Sequence, residues 1–311
     1  MAEPVPRMAD FRKSRWFALV WAVPAAIVLV SVAVLGAQWL RSLPAMQSFI
    51  TQFPGQSSLP AGTPVGFPAW LAWQHGLNAF IMLFIIRSGW QVRTLTRPDA
   101  YWTRNNKGMI RTKGSPVRIS LNLWLHLSLD TLWIINGVVF YALLFVTGQW
   151  GRLVPVHWDI FPNAISAGIQ YASLNWPVEN GWSNYNALQV LSYFLVVFIA
   201  APLALITGLR MSPGLAAHFN PLHRAFPLSA ARKIHFATMV FFVAFIVVHV
   251  TLVFATGALN NLNHMYAVNN GQSWLGFAIF SASLVLMIVA WIAARPFVLR
   301  SIAGSSYLRW V

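Results

Sequence analysis

The chain has 311 residues, 58% of them hydrophobic and only 9% charged, with a mean hydropathy of +0.60. Soluble domains carry about 25% charged residues, so this composition excludes a water-soluble globular protein and places the chain in a bilayer. The absence of cysteine excludes disulfides, thiolate-held metal centres and covalent attachment of a cofactor through C-x-x-C-H, leaving histidine and methionine as the soft ligands.

Six apolar stretches reach the length of about 20 residues that crosses a hydrocarbon core: roughly 17–40, 68–88, 119–147, 185–209, 233–256 and 274–294. The first follows Arg12, Lys13 and Arg15. It is longer than a signal-peptide core and no A-x-A site follows, so it is expected to be a retained span. The connection from Ser42 to Phe67 carries Pro44, Pro54, Pro60 and Pro64 and reads as an irregular loop. The second span holds His75, in Trp73-Gln74-His75-Gly76, and closes on Arg87-Ser88-Gly89. A basic loop from Gln91 to Val117 leads to the third span, which contains His126 and, four residues later, Asp130. Asp130 is the one acid inside an expected span.

Between Gln149 and Asn184 the stretch Ile160–Leu174 places Phe161, Ile165, Ile169 and Leu174 against polar positions, the pattern of a helix lying on a membrane surface. The fourth span carries no histidine, whereas the fifth carries two, His235 and His249. An Asn-rich loop, Gly257 to Ser273, precedes the sixth span. No internal repeat or low-complexity tract interrupts this order. The expected architecture is an all-α integral membrane protein of six transmembrane helices, a single membrane domain over 1–311.

The net charge of +15 is a topology signal rather than a nucleic-acid footprint. Basic residues fall at 7, 12, 13 and 15, at eight positions from Arg87 to Arg118, at 210, 224, 232 and 233, and at 295, 300 and 309. Those are nineteen of the twenty-one, and with six spans all four groups share one side; only Arg41 and Arg152 lie in the other loops. The positive-inside rule makes the basic side cytoplasmic and places both termini there, as in a multi-pass protein of a bacterial-type inner membrane. Anionic lipid headgroups are natural partners of that side; nucleic acid is not an expected partner.

The histidines carry the chemistry. His235 and His249 are fourteen residues apart, which in a helix returns to nearly the same face and separates the rings by about 21 Å along the axis. One ring then lies toward each membrane surface. The second span enters from outside, putting His75 at the depth of His249. The third enters from inside, putting His126 at the depth of His235. Histidine within a membrane faces the bundle interior, and two pairs at matched depth on facing helices suit two haem irons, each needing two axial ligands. His218 and His223 in the basic loop, with His157 and His264 in outer loops, are expected to be solvated or interfacial.

Asp130, an ionisable group in the membrane, is a candidate proton relay for a quinone; its structural alternative is a bond to Asn136, Thr131 or a ligand ring. Arg87 offers a fork suited to carboxylates, so a haem propionate is one candidate partner and phospholipid headgroups are the other. The many tryptophans near span ends form an interfacial belt.

At these residues the chain resembles the di-haem cytochrome b subunits of formate dehydrogenases, nickel–iron hydrogenases and thiosulfate reductases. The stretches His75-Gly76-Leu77-Asn78 through Arg87-Ser88-Gly89, Tyr101-Trp102-Thr103-Arg104, and His249-Val250-Thr251 through Asn263-His264-Met265 look like the branch found beside molybdopterin oxidoreductases. The resemblance covers roughly residues 70–270. It implies a four-helix di-haem core from spans two to five, about 68–256, with His75, His126, His235 and His249 as axial ligands and spans one and six added outside. In the formate dehydrogenase type the first core helix starts at the cytoplasm, whereas the charge pattern here starts it outside; either the core is inverted or the count of spans is off by one.

The expected function is an integral membrane cytochrome with two haems b that relays electrons between a membrane quinone and a catalytic oxidoreductase subunit, of the molybdopterin-containing kind. A proton- or metal-coupled transporter using the intramembrane histidines and Asp130 is the alternative from another class. Against it, the chain lacks the paired broken helices of transporters. A cofactor-free membrane anchor is the third reading.

Overall fold

The computed structural model describes residues 17–104, 106, 115–176, 180–213 and 226–304. Six of its helices are long and apolar enough to cross a membrane: α1 (Phe17–Ser42), α3 (Ala69–Thr94), α4 (Leu121–Val146), α6 (Ala187–Met211), α7 (Leu228–Ala255) and α8 (Leu275–Ala293). Between and after them lie α2 (Pro44–Gln52), α5 (Ile160–Ala172) and α9 (Pro296–Ala303). The chain is thus an all-α multi-pass membrane protein. A helix of 26 residues such as α3 or α4 rises about 39 Å, more than the hydrocarbon core of about 30 Å.

Two helices outrun their apolar stretches. α3 continues to Thr94, past Gln91 and Arg93, and α7 begins at Leu228, before Arg232 and Lys233. Hydropathy marks where side chains leave the hydrocarbon. The backbone ladder continues beyond it because long basic side chains cover the helix ends and reach for water.

The described residues form two compact units. The first takes its described residues from 17–58, 156–176 and 185–191, with α1, α2, α5 and the start of α6. α5 appears where its pattern predicts, but its polar face is the buried one. Asn163 accepts from the Gly55 amide (2.9 Å), and Gln170 donates to the Pro54 carbonyl (3.3 Å). Phe161 and Ile165 point outward, 49% and 58% exposed, as in a helix whose apolar side meets lipid.

The second unit takes its described residues from 59–155, 180–184 and 192–304. Here α3 packs on α4 and α7 on α6. Ile81, Phe84 and Leu129 form a core to which Trp133 of α4 and Ala290 of α8 add. A short strand within the basic loop, β1 (Tyr101–Thr103), pairs antiparallel with β2 (Arg118–Ser120) directly after that loop, in register Tyr101↔Ser120. Ser120 then caps α4, its hydroxyl accepting from the Leu123 amide (3.2 Å), which fixes where the turn bearing His126 begins.

α6 holds a π turn at Leu195–Ala200, where the Ala201 amide bonds the Val196 carbonyl, five residues back. Pro202 follows and has no N–H. In the same register its partner would be the Val197 carbonyl, and the Tyr141 hydroxyl of α4 donates to that oxygen instead (2.5 Å). The orphan left by proline is thereby satisfied from a neighbouring helix, as backbone in a membrane requires.

Candidate functional site: two facing histidine pairs

All four intramembrane histidines lie in the second unit and sort into two facing pairs. His75 of α3 and His249 of α7 have ring centroids 6.3 Å apart, with planes inclined at 56°. His126 of α4 and His235 of α7 are 6.4 Å apart, inclined at 81°. His235 and His249 share one unbroken helix, so the pairs are about 21 Å apart along its axis. Neither pair is close enough to stack or hydrogen-bond directly.

A haem iron can be tested against this spacing. A metal–imidazole bond is about 2.0 Å, and a ring nitrogen lies about 1.1 Å from its centroid. Two imidazoles trans across one iron therefore have centroids about 6.2 Å apart, in line with the 6.3 and 6.4 Å observed. Among the described residues no group of three or more His, Asp or Glu could hold a bare metal ion. Two protein donors per site suit an iron whose other four ligands are porphyrin nitrogens. His75 adds a chemical argument, because its buried Nδ1 has no hydrogen-bond partner in the structure. Buried polar atoms are normally satisfied. Trp70 Nε1 and Gln74 Oε1, on the same helix, are buried and unpartnered too. The residues fit the group.

Each ring is held from elsewhere. Phe245 stacks on His249 at 5.5 Å with planes 10° apart, and Tyr193 meets its edge at 6.1 Å. Tyr266 stands perpendicular to His75 at 6.1 Å. At the other pair, Ser88 Oγ lies 3.0 Å from His126 Nδ1 and Thr207 Oγ1 2.9 Å from His235 Nδ1. A Cβ built on Gly89 would meet His126 Cε1 at 3.0 Å, and one on Gly208 would meet His235 Cε1 at 3.6 Å. Sequence reasoning passed over Ser88 and Thr207 as ligand partners. Their only sequence signal is a small hydroxyl residue beside glycine in a span, and the helix pairing was needed to read it.

Asp130 lies next to the site as expected, one carboxylate oxygen 3.7 Å from His126 Nε2, too long for a hydrogen bond. Thr131, one structural partner considered for it, gives its hydroxyl to the Leu127 carbonyl (2.9 Å). Arg87 donates to the Trp291 and Ala294 carbonyls at the end of α8 (2.6 and 3.0 Å) and stacks on Trp291 at 4.4 Å. Its fork thus ties the sixth span to the second, and its remaining N–H groups are those a carboxylate could use.

His264 corrects an expectation. Rather than solvated or interfacial, it is 3% exposed, its Nε2 bonded to Asn270 (2.9 Å) and its ring against Trp182 and Phe67. Burial pushes its pKa below the ordinary value and the Arg152 charge adds to this, while the Asn270 bond opposes it. Arg152, also buried, donates to the carbonyls of Gly66, Trp182 and Gly181. That guanidinium draws two loops over His264, a tertiary effect that loop composition does not reveal. His157 is exposed, as expected. His218 and His223 lie outside the described residues.

Comparison with known proteins adds one finding. A family model described as prokaryotic cytochrome b561 matches residues 66–267. That interval contains all four paired histidines, Ser88, Asp130 and Thr207, and leaves out α1 and α8. No curated protein and no solved structure shows a significant match.

Proposed function

The chain belongs to the prokaryotic cytochrome b561 family, membrane b-type cytochromes of electron transfer, and from that premise we propose that it is a di-haem cytochrome coupling the quinone pool to a catalytic oxidoreductase subunit. His75 with His249, and His126 with His235, would each hold one haem. The observation that carries this reading is the pair of centroid spacings, 6.3 and 6.4 Å. The two sites make one cytochrome domain whose binding core runs from about 68 to 256.

When bound, haem b supplies a one-electron ferric–ferrous couple. The protein's part is placement and exclusion of water. α7 carries one ring of each pair and sets their separation; α3 and α4 bring the second rings at matching depth. Phe245, Tyr193 and Tyr266 wall one pair, and the core of Ile81, Phe84 and Leu129 is buried within the same unit. Asp130, 3.7 Å from His126 Nε2, is the proton-bearing group for a quinone bound near that pair. Arg87 retains N–H groups for a propionate beside its carbonyl contacts. On the distribution of basic residues, both termini and the His126–His235 pair would face the cytoplasm of the cell membrane, which would make the core inverted relative to the formate dehydrogenase type. Formate dehydrogenases, nickel–iron hydrogenases and thiosulfate reductases define the class of catalytic partner, with a molybdopterin enzyme favoured by the sequence stretches around His75 and His249.

The purified protein tests this directly. A dithionite-reduced spectrum of low-spin haem b, with two haems per chain by pyridine haemochrome, is the expected result. His75→Ala and His249→Ala should each remove the same haem; loss of different haems would show that the pairing is wrong.

A further inference from the structure

We propose that Ser88 and Thr207 are positioning residues that fix the tautomer of His126 and His235 and thereby lower the reduction potential of the haem between them. The inference rests on the haem reading of that pair.

Ser88 is fully buried, and its hydroxyl lies 2.7 Å from the Phe84 carbonyl and 3.1 Å from that of Ile85, both on its own helix. A hydroxyl has one hydrogen, and the carbonyls, which can only accept, take it. The oxygen then faces His126 Nδ1 at 3.0 Å as an acceptor, so the ring's proton sits on Nδ1. Thr207 repeats the arrangement. It too is fully buried, 2.7 Å from the Leu203 carbonyl and 3.1 Å from that of Ala204, with His235 Nδ1 at 2.9 Å. With Nδ1 protonated, a neutral imidazole presents its lone pair at Nε2. Both rings are thus prepared as ligands before any metal arrives.

Neither hydroxyl sits on the helix of the ring it holds: α3 serves the ring of α4, and α6 the ring of α7. The other pair is built differently, since His75 Nδ1 has no partner in the structure and aromatic rings pack against His249. A ring N–H donated to an acceptor makes the opposite nitrogen more basic, and a more basic ligand favours ferric over ferrous iron. The hydroxyls therefore act on one haem of the two.

The test uses the full-length protein with Ser88→Ala and Thr207→Val, each removing a hydroxyl at little change in volume. Spectroelectrochemical titration reads both haems, the His75–His249 haem serving as internal reference. Losing one hydroxyl should shift the ferric–ferrous equilibrium of the His126–His235 haem about tenfold toward ferrous, about 59 mV upward for a one-electron couple, with the reference unmoved. Ser88→Thr and Thr207→Ser, which keep a hydroxyl, should hold the original potential. Both haems retained with no shift in either hydroxyl-free variant overturns the inference while leaving the haem reading intact. Absence of haem from the unaltered protein overturns both. If a hydroxyl-free variant loses its haem, the swaps decide: retention at the original potential supports the hydroxyl's role, and loss there as well means that the positions supply packing alone.

Discussion

Gly89→Ala should weaken haem binding at the His126–His235 pair without weakening the fold. The added Cβ would stand 3.0 Å from His126 Cε1 and 3.5 Å from Nδ1. Carbon atoms pack best at about 3.5–4.0 Å, so the ring must retreat by about half an ångström or more. It has little freedom to do so, because Ser88 on the same turn holds Nδ1 at 3.0 Å. Overpacking of this kind costs about 1–3 kcal/mol, and at 1.4 kcal/mol per decade that is about a 5- to 150-fold loss of affinity at this site. Alanine is also the better helix former by about 0.8–1.0 kcal/mol, which opposes any loss of stability in α3. The two effects separate in the assay: haem occupancy and the amplitude of one haem's bands should fall, while the thermal melt of the haem-free protein holds or rises. Gly208→Ala is the control, since its Cβ would make an ordinary contact with His235 Cε1 at 3.6 Å and should leave occupancy unchanged. Equal and full occupancy in both variants would refute the argument, as would loss of the haem bound by His75 and His249.

Three further outcomes are expected. Asp130→Asn should leave both haem spectra in place while slowing electron exchange with a quinol analogue in stopped-flow; unchanged exchange with a shifted potential would make Asp130 a structural neighbour of His126. His264 bears on acid stability: its folded pKa is depressed, so it contributes stability above the ordinary histidine value of about 6.5 and loses it as pH falls through its lower folded value. Thermal melts between pH 7 and 4 should steepen with acidification in the native protein and flatten in His264→Gln; parallel curves would remove His264 from the account. Single-cysteine labelling should find position 107 protected in right-side-out membranes and position 180 reactive, and the reverse pattern would invert the orientation.

What the sequence could disclose was whatever one helix determines by itself. Apolar runs show spans, and the fourteen residues between His235 and His249 show a face and a separation, because both are properties of a single periodic helix. The pairing with His75 and His126 followed from depth, which needs only the alternation of spans. Ser88 and Thr207 were not legible in the same way, since a hydroxyl that bonds its own backbone looks the same in sequence whether or not a ring approaches from the next helix. Arg87 illustrates the same limit: its carbonyl partners, Trp291 and Ala294, are some two hundred residues away. The burial of His264 depended on Arg152 and Trp182 closing over it. The strand pair escaped notice because three residues a side carry too little alternation to register.

The π turn in α6 holds one residue more than ordinary winding needs. An α-helix advances about 100° per residue, and a bond that closes over five residues instead of four absorbs one such step. The face beyond the turn, with Thr207 against His235, is therefore the same whether the segment winds with the extra residue or without it. What the extra residue sets is local, the carbonyl of Val197 turned to the Tyr141 hydroxyl. Loss of one residue between Leu195 and Ala200 should let the segment rewind with Thr207 still facing its ring. One residue lost between Pro202 and Thr207, where winding is already ordinary, would turn that hydroxyl about 100° away. The same helix thus holds one stretch that can absorb a change of count and, directly after it, one that cannot.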